Sequence, residues 1–280
     1  MWSLFLDAAF KVGLPLLATL GLVMVFRRVK LPHGFQEGTN DIEGIYLAVV
    51  AAIYAVILAF MVFVVWTKYD AASNTVDQEA SALMDVQRIA QALPDPYPAQ
   101  FREHCRAYAV AVVDHDWPNM AKKERTRDSA GRDALDLVWK DLFALQHDAR
   151  IDTVSRDHLY DRLLVINDAR RSRLRTARTD LPAVLWTLLY FGGGLTVFVA
   201  AVFSVEKIGL HLFKAVALTL LIFMALFVVQ ALDHPFRGFA RLDASAFRTP
   251  SRQQTSAPAG DAPAHTEHGG RTMPPPSVPQ

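Results

Sequence analysis

The sequence predicts an all-α membrane protein with four transmembrane helices and a helical cytoplasmic domain inserted between the second and third helices. Hydrophobic residues make up 52% of the 280 residues and charged residues 20%, a combination that is hard to place in one soluble globule. The charges are segregated, because four stretches are almost free of them while residues 67–181 and the chain after 233 carry most of them. No β-strand alternation interrupts the helical periodicity.

Each of these four stretches of low charge is long enough to cross a bilayer, since about 20 apolar residues span a hydrocarbon core about 30 Å thick. Two of them contain no charged side chain, and a third has only Lys214, near one end. The remaining segment contains Asp7 and Lys11, whose spacing of four residues lets them pair near the interface. The predicted crossings are, in order, 4–26, 45–66, 183–205 and 210–232.

A signal peptide is the alternative interpretation of the first segment. A signal peptide carries its basic residues before its apolar core and ends at a small-residue cleavage site. Here Arg27, Arg28 and Lys30 follow the apolar core, and no cleavage site is evident. We therefore interpret 4–26 as a crossing.

The distribution of Lys and Arg predicts the orientation, because these residues are retained on the cytoplasmic side. With four crossings, residues 67–181 and both termini share one side, which carries Lys68 and many arginines at 170–178 and 237–252. The opposite side has fewer basic residues, although its cluster at 27–30 argues for the reverse orientation. We expect both termini and the inserted domain in the cytoplasm, with the crossings in a bacterial inner membrane.

The chain divides into 1–66 with two crossings, a helical domain at 67–181, 182–248 with two crossings, and a tail at 249–280. The helical pattern of the second crossing continues past Tyr69 to Leu93, which predicts one long helix leaving the bilayer. The tail is rich in Pro, Gly, Ser and Thr and cannot bury a core, so we predict disorder. Three further domain helices are predicted at about 99–117, ending at Pro118, and at 132–147 and 154–177.

No residues for catalysis, a cofactor or a metal are predicted. The nine histidines are scattered, and a surface site at His104 or His115 is less favoured than solvated side chains. Gly192 to Gly194 fall inside the third crossing, where small residues allow close packing or a bend. Cys105 is expected to be a small buried hydrophobe. The net charge of +1 argues against nucleic acid as a partner, and an enzyme is the least favoured class.

The arginines between Arg170 and Arg178 lie just before the third crossing. We interpret them as a juxtamembrane anchor for anionic lipid headgroups. The alternative is an inner vestibule that attracts anions.

One side of the second crossing is composed of small residues. On a helical wheel, five alanines fall within roughly 100° of arc, opposite larger side chains that include Tyr46, Ile53, Ile57 and Met61. In a monomer this side would receive another crossing, whereas around a rotation axis it would line a narrow, uncharged constriction. The alanines are Ala48, Ala51, Ala52, Ala55 and Ala59.

Several motifs across residues 38–248 resemble those of the bestrophin-like family of bacterial membrane proteins, which is named for distant similarity to bestrophin ion channels. The matching positions include Asn40, Asp41, the stretch 54–60, Trp66, Tyr69, Glu79, Trp117, Arg170, Arg173, Asp233, Pro235, Phe236 and Gly238. The resemblance implies a homo-oligomeric channel, since bestrophins are homopentamers with four crossings and an inserted helical cytoplasmic domain.

In bestrophins the second crossing lines the pore with bulky apolar side chains. The resemblance places the lining here at Ala48, Ala52 and Val56, which are smaller, so a bestrophin-type hydrophobic gate is not expected. The acidic run of the bestrophin calcium clasp is reduced to Asp233 and Asp243, so we expect no calcium regulation.

The resulting functional hypothesis is an ion channel or passive ion pathway. The alternative is a non-conducting membrane scaffold whose cytoplasmic helices bind a protein or lipid partner. At the end of the fourth crossing, Pro235 should stop the helix, and Asp233 should accept hydrogen bonds from the backbone groups that the proline frees.

Overall fold

The computed structural model describes residues 17–21, 24, 40–122, 130–202 and 208–252. All regular secondary structure within these residues is helical, which confirms the predicted all-α class. The helices are α1 (Asn40–Ala90), α2 (Tyr97–Ala111), α3 (Trp117–Lys122), α4 (Ala130–Ala144), α5 (Thr153–Thr176), α6 (Ala183–Val202), α7 (Ile208–Asp233) and α8 (Ser245–Arg252).

Three helices in the described residues are long and apolar enough to cross a membrane: Gly44–Ala90, Ala183–Ala201 and Leu212–Asp233. They correspond to the predicted second, third and fourth crossings. The predicted first crossing, 4–26, lies outside the described residues except for 17–21 and 24, which are helical. Within that part Thr19 is buried, and its hydroxyl accepts a hydrogen bond from Thr219 of α7 at 3.2 Å.

Helix α1 continues without a break from the membrane segment into the domain, as predicted. Its 51 residues correspond to about 76 Å at about 1.5 Å per residue. From Ile45 to Trp66 the helix is apolar on all sides, as a membrane helix requires. In the second half the buried positions recur every three or four residues, so that one face is directed to the domain core: Ala72, Val76, Ala80, Leu83 and Val86.

The buried side chains form a membrane layer and a domain core. In the membrane layer, Tyr54, Met61 and Val65 of α1 pack with Leu189 of α6 and with α7. In the domain, α5 runs along the second half of α1 and α2 packs against α4. Their shared core includes Phe101, Tyr108, Val138, Leu159, Leu163 and Ile166.

The predicted end of a helix at Pro118 is wrong. The chain passes from α2 through a π turn at Val112–Asp116 directly into α3. Pro118 is the second residue of α3 and directly follows the π turn, in which the Trp117 amide donates to the Val112 carbonyl five residues earlier. The helices predicted at 132–147 and 154–177 agree with α4, the following 3₁₀ turn and α5 to within about two residues.

The last helix lies partly inside the predicted tail. Helix α8 extends to Arg252, so its last four residues, 249–252, lie within the predicted tail. The remaining residues of the tail, 253–280, lie outside the described residues.

Candidate functional site

Three features of the structure bear on function. The first is the uncovered face of α1, which carries Ala48, Ala52 and Val56. The second is the Glu79–Arg173 cluster, formed by Glu79, Tyr108, Asp116, Arg170 and Arg173. The third is the Lys68–Asp233 junction, where α1 meets the start of α6 and the end of α7.

The predicted pore-lining residues Ala48, Ala52 and Val56 are all exposed on α1, and Val56 is 71% exposed. The opposite side of α1 is buried at Tyr54 and Met61 against α6 and α7. In the part of the chain that the structure describes, no helix covers the side with the alanines. That side is therefore available to lipid, to other parts of the protein or to a second copy of the chain.

The uncovered face is wider than the predicted alanine strip. Ile57 packs against the membrane core as the wheel predicted for the bulky side. Ile53 and Tyr46, which the wheel also assigned to the bulky side, are instead 59% and 65% exposed. The uncovered face thus combines small residues with larger apolar ones.

Tyr54 of α1 fits against the glycines of α6. Its hydroxyl donates a hydrogen bond to the Leu189 carbonyl at 3.2 Å. A Cβ atom on Gly192 would lie 2.6 Å from the Tyr54 ring, and one on Gly193 would lie 2.9 Å from its hydroxyl oxygen. A Cβ on Gly194 would meet nothing within 4 Å. The interpretation of these glycines as packing residues is confirmed for the first two.

The Glu79–Arg173 cluster is centred on an ion pair between α1 and α5 in which both side chains are fully buried. Arg173 Nε donates to Glu79 Oε2 at 2.7 Å, and Nη2 donates to Oε1 at 2.9 Å. The Tyr108 hydroxyl of α2 donates to the same Oε1 at 2.6 Å. Such a two-point arginine–carboxylate pair fixes the distance and orientation of the two helices. Three helices are thus joined at one carboxylate.

Asp116, the last residue of the π turn, supplies a second buried carboxylate. Its Oδ2 lies 3.5 Å from Nη2 of Arg170 and 3.5 Å from Nη2 of Arg173. Neither carboxylate oxygen of Asp116 has a hydrogen-bond partner in the described residues, so charge attraction is what holds it there. A Cβ on Gly131 would lie 2.6 Å from Asp116 Oδ2, which explains the glycine at the second position of α4.

Aromatic side chains pack against the guanidinium group of Arg173 and cover one side of the cluster. The guanidinium carbon of Arg173 lies 5.5 Å from the centre of the Trp117 ring and 5.9 Å from that of Phe247 on α8. Phe236 packs edge-on against Trp117 at 5.6 Å. The Trp117 Nε1 donates to the Leu242 carbonyl at 3.2 Å. The segment that follows α7 therefore packs over the Glu79–Arg173 cluster through these aromatic contacts.

The electrostatics of the cluster fix the protonation states of Arg173 and Tyr108. Burial is the largest single influence on the pKa of Arg173 and disfavours its charged form. The charge and hydrogen bonds of Glu79, together with the electrostatic influence of Tyr108 and Asp116, outweigh burial and raise the pKa of the guanidinium. Burial and then the charge of Glu79 raise the pKa of Tyr108 well above its ordinary value. A permanently charged arginine and a permanently neutral tyrosine do not exchange protons near neutral pH. These two side chains therefore have the properties of a structural connection between helices.

At the Lys68–Asp233 junction one ammonium group joins three parts of the chain. Lys68 Nζ donates to Asp233 Oδ1 at 2.7 Å, to the Asp233 carbonyl at 2.8 Å and to the Thr179 carbonyl at 2.6 Å. The Leu181 amide donates to both oxygens of the buried Asp233 carboxylate at 3.2 Å. The predicted role of Asp233 was wrong in its partners, because its carboxylate binds these groups and not backbone freed by Pro235.

The corner after α7 has a backbone conformation that depends on its motif residues. Helix α7 ends at Asp233, two residues before Pro235, as predicted. The Leu242 amide donates to the Pro235 carbonyl at 2.7 Å and closes the turn. Gly238 has a φ of +78°, in the left-handed region where other residues are strained. Nothing lies within 4 Å of a Cβ built there, so conformation and not space requires this glycine.

The remaining predicted site residues have varied environments. Arg170 and Arg173 are buried, so these two cannot contact lipid headgroups as predicted. Arg171, Arg175 and Arg178 are exposed, and a lipid anchor at these three remains a prediction. Asn40 and Asp41 lie at the start of α1.

Trp66 and Tyr69 stack one turn apart on α1 with ring centres 6.5 Å apart. His104 lies 2.6 Å from Asp141 through Nδ1, and Cys105 beside it is buried. No group of three or more His, Cys, Asp or Glu that could hold a metal ion occurs within the described ranges. The structure thus gives His104 a carboxylate partner.

The pairing of Glu79 with Arg173 was not predicted, although a signal for it exists. Glu79 lies three residues after Val76, on the buried face of α1. Arg170 and Arg173 continue the buried spacing of Leu163 and Ile166 on α5. A charged residue at a core position of each of two helices indicates a buried ion pair.

Known proteins provide an independent comparison. The family model described as Bestrophin-like domain matches residues 13–247. Two crystal structures of a bacterial bestrophin homologue from Klebsiella pneumoniae, each with one substitution, superpose with TM-scores of 0.69 and 0.70 at 14% and 12% identity. They cover 90% and 89% of this chain and 100% of their own. A third crystal structure, of a membrane protein, gives 0.70 at 14% identity and the same 90% and 100% coverage.

A comparison with curated proteins finds no match. The structural likeness supports a shared fold, and the family match extends over most of the chain, from before the second crossing to α8. The chain therefore belongs to the Bestrophin-like domain family.

Proposed function

We propose that this protein forms a homo-oligomeric ion channel or passive ion pathway in the bacterial inner membrane. In this proposal the α1 helices of the several copies surround the symmetry axis. Ala48, Ala52 and Val56 of each copy line the narrow part of the pathway. The domain formed by α2 to α5 and both chain termini are cytoplasmic. Family membership and the fold shared with bestrophin homologues support the proposal.

The observation that carries the proposal is the two-sided character of α1 within the membrane layer. One side is buried on α6 and α7, and the other is exposed along its length at positions such as Ala52 and Val56. A single chain with one uncharged small-residue side cannot enclose a hydrated path alone. Copies arranged around an axis can enclose one, with the small residues nearest the axis.

The proposal is tested by placing a carboxylate on each side of α1 at similar depth. A charge at the bilayer centre costs at least about 2.5 to 3.5 kcal/mol on insertion scales, and less where it meets water. Ala52→Asp should assemble and change ion flux in reconstituted vesicles, because the carboxylate reaches the pathway. Ile57→Asp, on the side packed against α6 and α7, should lower the yield of folded protein.

The oligomeric mass in detergent, measured directly, is the necessary companion experiment. A monomeric parent protein would rule out the pathway. So would an oligomer that passes no ions and in which Ala52→Asp disrupts folding as severely as Ile57→Asp.

The alternative function, a membrane scaffold that binds a protein partner, is favoured by one observation. Trp139, Phe143 and Tyr160 of α4 and α5 form a group of stacked and edge-on rings with centre distances of 5.7 and 5.8 Å. Phe143 and Tyr160 are about half exposed. Exposed aromatic residues of this kind are typical of protein interfaces. A non-conducting oligomer that loses a partner on Phe143→Ala would support the scaffold.

A further inference from the structure

A cavity of about 810 Å³ lies where α6 begins and α7 ends. One end is lined by Asp180, Asp233 and His234, and the other by Trp186, Tyr190 and Phe191. From the first residue of α6 to Phe191 the helix rises about 12 Å. Along that distance the lining changes from charged to apolar. A bilayer lipid changes in the same order, from its headgroup to its acyl chain.

At the charged end of the cavity, positive and negative side chains are paired, and this pairing favours some lipid headgroups over others. The Asp180 carboxylate is about one-third exposed and accepts a hydrogen bond from Arg237 at 3.1 Å. The buried Asp233 carboxylate is matched by Lys68. Burial, followed by the positive charge of Arg237, lowers the pKa of His234, so this ring is neutral at neutral pH.

Among the described residues that contact the carboxylates of this end, the two cations Lys68 and Arg237 each have a carboxylate partner. An anionic headgroup would add a negative charge beside two carboxylates whose partners are already engaged. A headgroup with one ammonium and one phosphate instead matches the partly exposed pair of Asp180 and Arg237. Its ammonium would lie at Asp180, and its phosphate at Arg237, which borders the cavity lining through its contact with Asp180.

The aromatic end provides surface for the rest of such a molecule. The Trp186 and Tyr190 rings stack with centres 5.5 Å apart, and Tyr190 and Phe191 are 49% and 69% exposed. Trp and Tyr are favoured at membrane–water interfaces, and their ring faces attract ammonium groups. A lipid whose headgroup lies at Asp180 would extend its acyl chain along Tyr190 and Phe191.

We propose that this cavity is a binding site for a membrane lipid with a zwitterionic, primary-ammonium headgroup. The ammonium donates to Asp180, the phosphate lies at Arg237, and the acyl chain packs on the aromatic side chains of α6. A quaternary ammonium has no N–H to donate and should bind less well. This inference is independent of whether the protein conducts ions.

The test is native mass spectrometry of the full chain in detergent. The protein is titrated with phosphatidylethanolamine, phosphatidylglycerol and phosphatidylcholine of identical acyl chains. Phosphatidylethanolamine should bind about threefold or more tightly than either of the others, as expected for one partly exposed charge pair. Asp180→Asn should remove this preference, and Asp180→Glu should keep it. Asp243→Asn, a control at an exposed carboxylate outside the cavity lining, should change nothing.

Three results would overturn the proposal. The first is phosphatidylglycerol binding as tightly as phosphatidylethanolamine. The second is an unchanged preference in a correctly melting Asp180→Asn variant. The third is soluble phosphoethanolamine binding as tightly as the lipid, since the aromatic end would then contribute nothing. If Asp180→Asn does not fold, Trp186→Leu tests the proposal instead. This variant should keep the melting temperature of the parent and bind phosphatidylethanolamine more weakly, and unchanged binding would overturn the proposal.

Discussion

Arg173 and Glu79, 94 residues apart in the sequence, are joined by two hydrogen bonds of 2.7 and 2.9 Å in an interior from which water is excluded. The pair connects α5, which precedes the membrane helix α6, with α1, whose first half lies in the membrane layer. Because each charge satisfies the other, the loss of either partner is far more harmful than the loss of both.

Arg173→Ala should destabilise the protein by about 3 to 5 kcal/mol, because it leaves Glu79 buried without a countercharge. Arg175→Ala, two residues away on an exposed position of the same helix, should change stability by less than about 0.5 kcal/mol. Thermal unfolding in detergent distinguishes the two. The double variant Glu79→Leu/Arg173→Met should be more stable than Arg173→Ala alone, and a double variant that is less stable would contradict this account.

Gly192→Ala should destabilise the membrane layer by about 1 to 3 kcal/mol, because the added methyl group meets the Tyr54 ring at 2.6 Å. Gly194→Ala is the matched control, since its methyl group enters open space in the same helix. It should be neutral or stabilising. Melting temperatures of the two purified variants are the measurement. Equal melting temperatures would show that α6 does not depend on contact with Tyr54.

Asp233→Ala and Pro235→Ala should both lower the yield of folded protein. The first leaves the Leu181 amide without its acceptor, at a cost of about 1 to 3 kcal/mol, and leaves Lys68 with its two carbonyl acceptors but without its countercharge. The second loosens the corner that ends α7. Size-exclusion profiles and thermal stability after purification measure the effect. Unchanged values in both variants would show that the corner is dispensable.

Stability should fall as the pH is lowered through the ordinary pKa of histidine, about 6.5. The folded state lowers the pKa of His234, first by burial and then by the charge of Arg237. The unfolded chain therefore binds this proton more readily, so the contribution of His234 is present above that pH and is lost below it. His234→Gln should flatten the dependence between pH 5 and pH 7. A slope identical to that of the parent would assign the effect to another group.

A reporter fusion near Asp128 tests the proposed orientation. That position lies between α3 and α4, so it should report on the cytoplasmic side if residues 67–181 are inside the cell. A cytoplasmic reporter should be active there and alkaline phosphatase inactive. Periplasmic phosphatase activity would invert the topology and give decisive weight to the basic cluster at 27–30.

The sequence was sufficient for features that depend on local periodicity. The unbroken apolar spacing through Tyr69 predicts α1, and the length of the uncharged stretches predicts the crossings at α6 and α7. The prediction at Pro118 failed because the sequence pattern is ambiguous. The same apolar residues precede a proline that ends a helix and a proline that lies in the first turn of the next helix. Only the tertiary structure shows that the chain continues through a π turn.

The candidate site was less predictable, because its contacts join distant residues. A run of arginines before a crossing is typical of a lipid-facing surface, and the positions of Arg171 and Arg175 agree with that pattern. The burial of Arg173 depends on a carboxylate that α1 provides from the other end of the domain. The wheel of the second crossing correctly placed Ile57 and failed at Ile53, since the direction of packing depends on where α6 and α7 lie.

The continuity of α1 has a mechanical consequence. Tyr54, held by α6 in the bilayer, and Glu79, held by α5 in the domain, belong to one helix of 51 residues. Because this helix has no break between the domain and the membrane layer, a rotation of the domain about the α1 axis also rotates Ala52. A tilt of 5° applied over its length of about 76 Å would displace one end by about 7 Å relative to the other. A small torque on the domain therefore becomes a movement larger than a water molecule at the far surface of the membrane.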